Sequence, residues 1–291
     1  MEKGDTCAVI ITFRSQAAVL ENIAKVRSQV GGLVVVDNGS SAEALSPFRR
    51  KARELGFTLI ENGANLGIAA ALNRGVQWAK EQGFGFVALF DQDSTVTDGF
   101  IKAMLEEYGT HPRRERVAIV TSAQVERSTG RERTHGCAKD GGPLVAITSG
   151  SLMPVKVFDQ CGWFEEELII DGVDHEYCLR ARSLGYTLAQ CRRATLLVAV
   201  GAGKCHRACG FKINATHHSA KRRYYMTRNR LVIVQRFWRK QPAWCYRAVR
   251  DIVQDTIKLI FLEQERREKL ANTARGIHDA MCGRMGKVIE L

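Results

Sequence analysis

No apolar run in this 291-residue chain is long enough to cross a bilayer, because the best stretch, IVQDTIKLIFLEQE, is broken by Asp255 and Lys258. No basic-then-apolar leader opens it either: MEKGDTCAVIITF carries Glu2 and Asp5 ahead of a short apolar run, so the expectation is a chain made and kept in the cytoplasm. No GxGxxG follows the first apolar segment, and neither GxxxxGKS nor GxxxxGKT occurs anywhere. The phosphate cradles of Rossmann dehydrogenases and P-loop nucleotidases are therefore missing. The nine cysteines include no paired CxxC unit. Cys205, His206 and Cys209 in CHRAC, with Cys191 upstream, read as reduced thiols in preference to a structural zinc site.

What is present is enough for a full core, since 45% of the residues are hydrophobic. The formal charge of +12 is unevenly spread: Thr216 to Leu291 holds 17 Lys and Arg against 7 Asp and Glu, a net +10. That asymmetry points to an anionic partner for the carboxy-terminal quarter, either nucleic acid or a membrane surface. The chain divides accordingly into residues 1–215 and a basic helical region, 216–291.

The front half alternates β-branched runs with helical patterns. Cys7–Phe13, Gly32–Ser40, Phe57–Asn62, Phe84–Ser94 and Arg116–Gln124 read as buried strands. Residues 15–29, 41–56 and 66–83 carry apolar side chains near a 3.6-residue period and read as helices. The order βαβαβαβ predicts an α/β fold with a parallel sheet covered on both faces, whose ligands sit beyond the carboxyl ends of the strands. Thr12 and Arg14, Asp37 to Ser40, Asn62 with Asn65, and Asp91 with Asp93 should share that edge.

Two clusters carry chemistry. In FDQDS, Asp91 and Asp93 can offer hard oxygen ligands to Mg²⁺ or Mn²⁺, which would grip a diphosphate; the alternative is a solvated turn with a helix cap at Ser94 or Asp98. In LIIDGVDHEYCLRARSLGY, Asp171, Asp174 and Glu176 fall within six residues, more acid than a helix cap requires. The functional reading gives one of them a raised pKa that suits a base, and simple capping is the competing reading.

Taken in order, VIITFR, VVVDNGS, NLGIAAALNRG, FDQDS, SGSLMP, GWFEEELIIDGVDHEYCLRARSLGY, HHSAKRRYYMTRN and ARGIHDAMCGRMGK resemble family 2 glycosyltransferases of the GT-A fold. More narrowly, they resemble the bacterial dTDP-rhamnosyltransferases of cell-surface polysaccharide synthesis. The resemblance spans nearly the whole chain. It implies a nucleotide-binding, mostly parallel sheet flanked by helices, with Thr12, Arg14, Asp37, Asn65, Gly67, Asn73, Asp91 and Gln92 lining the nucleotide-sugar pocket. Asn65 and Asn73 would offer amide contacts to the donor, with capping as the competing role for Asn65. Gly67 would let the backbone approach, and Asp37 would accept from the base N–H. Asp91 and Asp93 would hold the Mg²⁺ or Mn²⁺. Many relatives have asparagine where this chain has Arg14, leaving that residue either a phosphate contact or a surface pair.

The same resemblance implies an inverting transfer of L-rhamnose from dTDP-L-rhamnose to a lipid-linked glycan acceptor in O-antigen or related synthesis. Asp174 aligns with the catalytic aspartate of the family and Glu176 with the second acid. Val173 stands where relatives often carry glutamate, so Asp171 competes for the role of base. No histidine precedes Gly201 in LLVAVGAGKCHRACG, leaving His206 or His217 to stand in for the family's HxxG histidine. Trp163 reads as core, with stacking on an acceptor sugar as the other use. A UDP-sugar donor and a non-enzymatic RNA- or nucleotide-binding module are the alternatives, although no nucleic-acid partner is expected.

In the tail, Leu231, Val234, Phe237 and Trp238 form an apolar face for an anionic inner-membrane surface, or for packing within the protein or against a partner subunit. The expectation is a cytoplasmic protein peripherally attached to the inner membrane. A homo-oligomer is compatible with the sequence.

Overall fold

The computed structural model describes residues 2–132, 136–198, 204–208, 211–215 and 218–290, with backbone placement alone for 204–208 and 211–215. The chain forms two compact units, Met1–Glu165 with Tyr177–Ala199, and Glu166–Glu176 with Val200–Leu291.

The first unit is organised by a mixed, mostly parallel sheet. Its strands are β1 (Thr6–Thr12), β2 (Gly32–Asp37), β3 (Thr58–Glu61), β4 (Phe86–Asp91), β5 (Thr95–Val96), β6 (Val117–Glu126), β7 (Ser151–Pro154) and β8 (Thr187–Val198), in the order β3-β2-β1-β4-β7-β6-β8-β5. β3, β2, β1 and β4 are all parallel, with Thr12 opposite Asp37, Asp37 opposite Glu61 and Ile11 opposite Asp91. The carboxyl ends of four strands therefore share one edge, as the periodicity required.

The sheet departs from the sequence reading at β7. SGSLMP forms an antiparallel strand wedged between β4 and β6, so the sheet is not wholly parallel. Four residues are too short for an unambiguous apolar pattern. The reversal depends on Gly150 at φ 77°, a conformation that disfavours a Cβ.

Helices α1 (Val19–Arg27), α2 (Ala42–Leu55), α3 (Ile68–Glu81), α4 (Phe100–Thr110) and α5 (Lys156–Cys161) accompany this sheet. Every residue of β1 and β2 is buried, which is why these strands read as continuous apolar runs. Ile23, Val26, Phe48, Phe100, Ile101 and Met104 pack with residues of β1, β2 and β4 into a common core. On α3, Gly75 lies so close to the sheet that an added Cβ would stand 2.3 Å from Val9 Cγ1. Close helix-to-sheet packing is what that glycine provides. Helix α6 (Val173–Ser183) starts in the second unit and ends in the first.

The second unit contains α7 (Ala220–Phe237), α8 (Pro242–Leu262), α9 (Arg266–Met281) and the antiparallel pair β9 (Lys204–Ala208) and β10 (Phe211–Ala215). Ser219 caps α7 by accepting from Arg222 N–H at 3.3 Å. α7 and α9 meet closely at Gly276, where a Cβ would lie 2.7 Å from the Tyr224 carbonyl oxygen, and Tyr224 donates to Asp279 at 2.8 Å.

α7 differs from the amphipathic surface helix expected of it. Phe237 is buried, Leu231 and Val234 are half-buried, and of that proposed face Trp238 alone is exposed. The arginines explain why. Arg223 and Arg228 are buried too, so much of the basic sequence of α7 is inward structure and not an outward cationic surface. Arg223 and Lys269 both pair with the buried Glu263, the second at 3.0 Å. Burial pushes the Glu263 carboxyl up, but the Lys269 hydrogen bond and the Arg223 charge outweigh it and hold the pKa below its ordinary value.

Candidate active site

At the edge where β1 and β2 end, DNGS folds into a turn around its own aspartate. Asp37 is 1% exposed. Its Oδ1 accepts from Thr12 Oγ1 at 3.2 Å and Ser40 Oγ at 2.5 Å, and its Oδ2 accepts from the N–H groups of Gly39 and Ser40 at 3.0 and 2.7 Å. Both carboxylate oxygens are engaged in shaping this loop. Arg14 sits at φ 49°, donates its N–H to Ser40 Oγ at 2.8 Å and lays an exposed guanidinium over Phe13, 4.7 Å from the ring centroid.

Asn38, placed on this edge by the sequence reading but given no role of its own, is the hub of the neighbouring loop. Its Oδ1 accepts from Asn62 Nδ2 at 3.0 Å and Leu66 N–H at 3.1 Å, while its Nδ2 donates to Asn65 Oδ1 at 3.0 Å and the Gly67 carbonyl at 3.2 Å. Asn65 Oδ1 also accepts from Gly67 N–H at 3.0 Å, closing an Asx turn ahead of α3. Gly67 holds φ 91° as the N-cap. Gly39 packs flush on this loop, with a hypothetical Cβ 2.5 Å from the Ala64 carbonyl carbon.

Asn73 does not behave as expected of a donor contact. Its amide donates to the Phe164 carbonyl at 3.0 Å and accepts from Phe164 N–H at 2.9 Å, and the side chain is buried. It imitates a strand residue and fixes the Gly162–Glu165 stretch. Trp163 in that stretch stacks at 5.6 Å on Phe158, the packing role read from its sequence.

Where β4 ends, Asp91 and Asp93 are both exposed, and Gln92 between them turns inward. Gln92 Oε1 accepts from Phe13 N–H at 2.9 Å and from Ser15 Oγ, tying the β1 loop to the β4 loop. Asp91 N–H donates to Ser149 Oγ at 3.0 Å, and Ser149 Oγ lies 2.7 Å from Ser94 Oγ. Ser94 is thus engaged within the site, and the N-cap of α4 is Gly99, so neither Ser94 nor Asp98 caps that helix. Two exposed carboxylates at a strand end, with the side chain between them committed inward, fit a hard divalent cation that completes its shell with water and phosphate oxygens. Among the described residues, no three His, Cys, Asp or Glu side chains cluster into a metal cage of their own.

The acidic segment of the second unit sorts its three carboxylates. Asp171, at φ 61°, is locked in a two-point ion pair with Arg222, Nε and Nη2 each 2.9 Å from an Oδ. Asp171 also raises the Arg222 pKa, chiefly through that hydrogen bond. Glu176 is 2% exposed and lies 3.8 Å from Arg236. Asp174 is half-buried in the first turn of α6, and its Oδ1 accepts from His175 N–H at 2.8 Å. The competing assignment of Asp171 as base loses ground to this geometry, because a guanidinium held on both oxygens occupies the lone pairs that a base would use.

Arg228 and Asn229, both 0% exposed, hold the backbone of this segment. Arg228 donates to the carbonyls of Glu167 and Gly286 at 2.9 and 2.7 Å. Asn229 Nδ2 reaches the carbonyls of Leu168, Ile170 and Asp171 at 2.8, 2.7 and 2.8 Å. The sequence reading counts Arg228 in the tail charge that points to an anionic partner, whereas the side chain is wholly buried. His217 lies outside the described residues, and of His206 only the strand backbone is described.

The model of the family described as Glycosyl transferase family 2 matches residues 7–160, which contain the whole of the β1-to-β4 edge. The chain belongs to glycosyl transferase family 2. It is a glycosyltransferase, and the non-enzymatic reading falls. The transferase is 28% identical over 299 residues to the dTDP-rhamnosyl transferase RfbF of Shigella flexneri, a match covering 96% of this chain and 95% of that one. Its fold is similar to that of S. aureus TarS 1-349, with TM-score 0.62 and 12% identity over 96% of this chain and 81% of that one. It is also similar to the Pyrobaculum calidifontis mannosyltransferase PcManGT, solved with GDP-Man and Mn²⁺, with TM-score 0.59 and 16% identity over 99% and 76% of the two chains. The architecture is that of the GT-A glycosyltransferases. Among the described residues, no helix is long and apolar enough to cross a membrane.

Proposed function

We propose that this transferase moves L-rhamnose from dTDP-L-rhamnose onto a lipid-linked glycan acceptor at the inner-membrane surface, with inversion at the anomeric carbon, in the synthesis of O-antigen or another cell-surface polysaccharide. The observation that carries the donor is the end-to-end likeness to a dTDP-rhamnosyl transferase, 96% of one chain against 95% of the other.

The donor's nucleotide is received by the β1-to-β4 edge. Thr12, Asp37 and Asn38 keep the loops after β1, β2 and β3 in one arrangement, and Asn65 and Gly67 hold the backbone ahead of α3. Arg14, exposed beside this edge, supplies a cation for the phosphates. Asp91 and Asp93 would hold Mg²⁺ or Mn²⁺, which when bound offsets the charge that develops on the departing diphosphate. Asp174 takes the proton from the acceptor hydroxyl. As the hydroxyl oxygen forms its bond to the anomeric carbon, the bond from that carbon to the diphosphate oxygen breaks and dTDP leaves. The His175 N–H, donating to Oδ1 at 2.8 Å, holds the Asp174 carboxylate in place at the start of α6. Glu176, buried against Arg236, supports the segment as the second acid.

The test is incubation of the purified chain with dTDP-L-rhamnose, Mg²⁺ and bacterial membranes, with UDP-glucose in a parallel reaction. Release of dTDP from the first and no UDP from the second is expected. UDP release alone would replace the donor, and release of neither would sink the reading.

A further inference from the structure

Among the described residues of the second unit, the most exposed apolar surface belongs to α8. Tyr246, Val249, Val253, Ile257, Ile260 and Phe261 are 73%, 42%, 53%, 50%, 40% and 71% exposed. Their spacing places all six within an arc of about 120° and along about 22 Å of helix. Trp244, Ala248 and Leu259, on the other side, are buried. The stripe is thus an outward second face of a helix whose inward face is already satisfied, larger than the scattered apolar exposure of an ordinary surface.

Charge says what covers it. Arg247 and Lys258 line one margin of the stripe, and Arg250, inside the arc, is paired with Asp251. The two acids of α8 are turned off the stripe, Asp255 pairing with Arg230 at 3.0 Å and Asp251 with Arg250 at 2.9 Å. A second copy of the chain packed antiparallel on this face would set that cationic margin against its like. An anionic bilayer gains from that same margin while it takes up the apolar stripe.

We infer that α8 is the membrane-docking element of this protein, lying in the interface of an anionic lipid bilayer with Tyr246, Val249, Val253, Ile257, Ile260 and Phe261 among the acyl chains. The role that sequence periodicity gave to α7 passes to the next helix. The inference deepens the lipid-linked acceptor reading and rests on it for its biological sense, and the test keeps the two apart.

Full-length protein is floated with vesicles of phosphatidylglycerol and phosphatidylcholine, and with phosphatidylcholine vesicles alone. The wild type should float with the first and stay behind with the second. Val253→Asp with Ile257→Asp should lower the floated fraction about ten-fold or more, and so should Arg247→Glu with Lys258→Glu, which leaves the stripe intact. The inference is overturned if the wild type stays behind with anionic vesicles, or if either double variant floats undiminished. It is also overturned if light scattering shows a dimer that the Val253→Asp, Ile257→Asp pair converts to monomer. Thermal shift by dTDP on the same preparations separates the questions: a retained shift in the variants shows an intact fold. A wild type that floats but shows no shift counts against the donor reading and leaves α8 standing.

Discussion

Asn229 holds the backbone of Asp171: one buried amide nitrogen serves the carbonyls of Leu168, Ile170 and Asp171, each within 2.8 Å. The segment it grips is strained, with Ile169 at φ 64° and Asp171 at φ 61°. A β-branched residue there is an outlier that persists only where its surroundings over-determine it. Removing the clamp takes this donor from the Ile170 and Asp171 carbonyls, while Leu168 keeps the Ile170 N–H, at about 1–3 kcal/mol for a group left unpaired. Asn229→Ala should therefore lower the unfolding free energy by about 2–3 kcal/mol. Asn229→Asp should be worse, because it points a carboxylate at three carbonyl oxygens. Chemical denaturation of the three proteins checks the order, and an Asp variant more stable than the Ala variant would refute it.

The carboxylates of the acidic segment should separate by function. Asp174→Asn is expected to lower turnover about 10²- to 10⁴-fold while dTDP still shifts the melting temperature. Asp171→Asn strands Arg222, so its main loss should be stability, with turnover falling less than in the Asp174 variant. Parallel measurements of kcat and melting temperature on both variants decide this. A dead but stable Asp171→Asn protein would reverse the assignment.

Divalent metal should be required. Chelation with EDTA is expected to stop dTDP release, and Mg²⁺ or Mn²⁺ should restore it. Asp93→Ala should raise the metal concentration needed for half-maximal rate about ten-fold or more, since it removes one of two charged oxygen donors. Gln92→Ala tests the other side of the loop. Its oxygen accepts from Phe13 N–H and Ser15 Oγ, so its loss should weaken donor binding at unchanged metal requirement. Metal titrations at fixed dTDP-rhamnose distinguish the two variants.

The parallel core was legible because β1, β2 and β4 are buried on both faces and spell this out as unbroken apolar runs. The edge on which Thr12, Asp37 and Asp91 end followed from strand parity alone. β7 was hidden because a four-residue reversed strand has no pattern of its own. Asn73 was misread because an amide that contacts a ligand and an amide that pairs with the Phe164 backbone look alike in sequence. The hub role of Asn38 was hidden for a similar reason, since its four partners come from the far side of α2 in the chain. The arginines of α7 misled in the opposite sense. Arg228 is charged and wholly buried, satisfied by backbone carbonyls, and composition counts it as surface.

Acid should unfold the first unit partly through Asp140. This carboxylate is 19% exposed, pairs with Arg182 at 3.0 Å and accepts from Thr187 Oγ1 at 2.5 Å. Burial raises its pKa, but the hydrogen bonds from Thr187 and Arg182 and the Arg182 charge outweigh that and bring it to about 2 from 3.8. A folded pKa below the unfolded one means the charged form favours the native state. The contribution is full above pH 3.8 and is lost as the pH falls towards about 2. Two pKa units correspond to about 2–3 kcal/mol at most, and incomplete burial trims this to about 1–2 kcal/mol. Asp140→Asn should therefore be less stable than wild type at pH 7 by about that amount, and the gap should close as the pH is lowered from 4 to 2. Urea denaturation across that pH range measures it, and a gap that stays constant would show that the Asp140 charge plays no part.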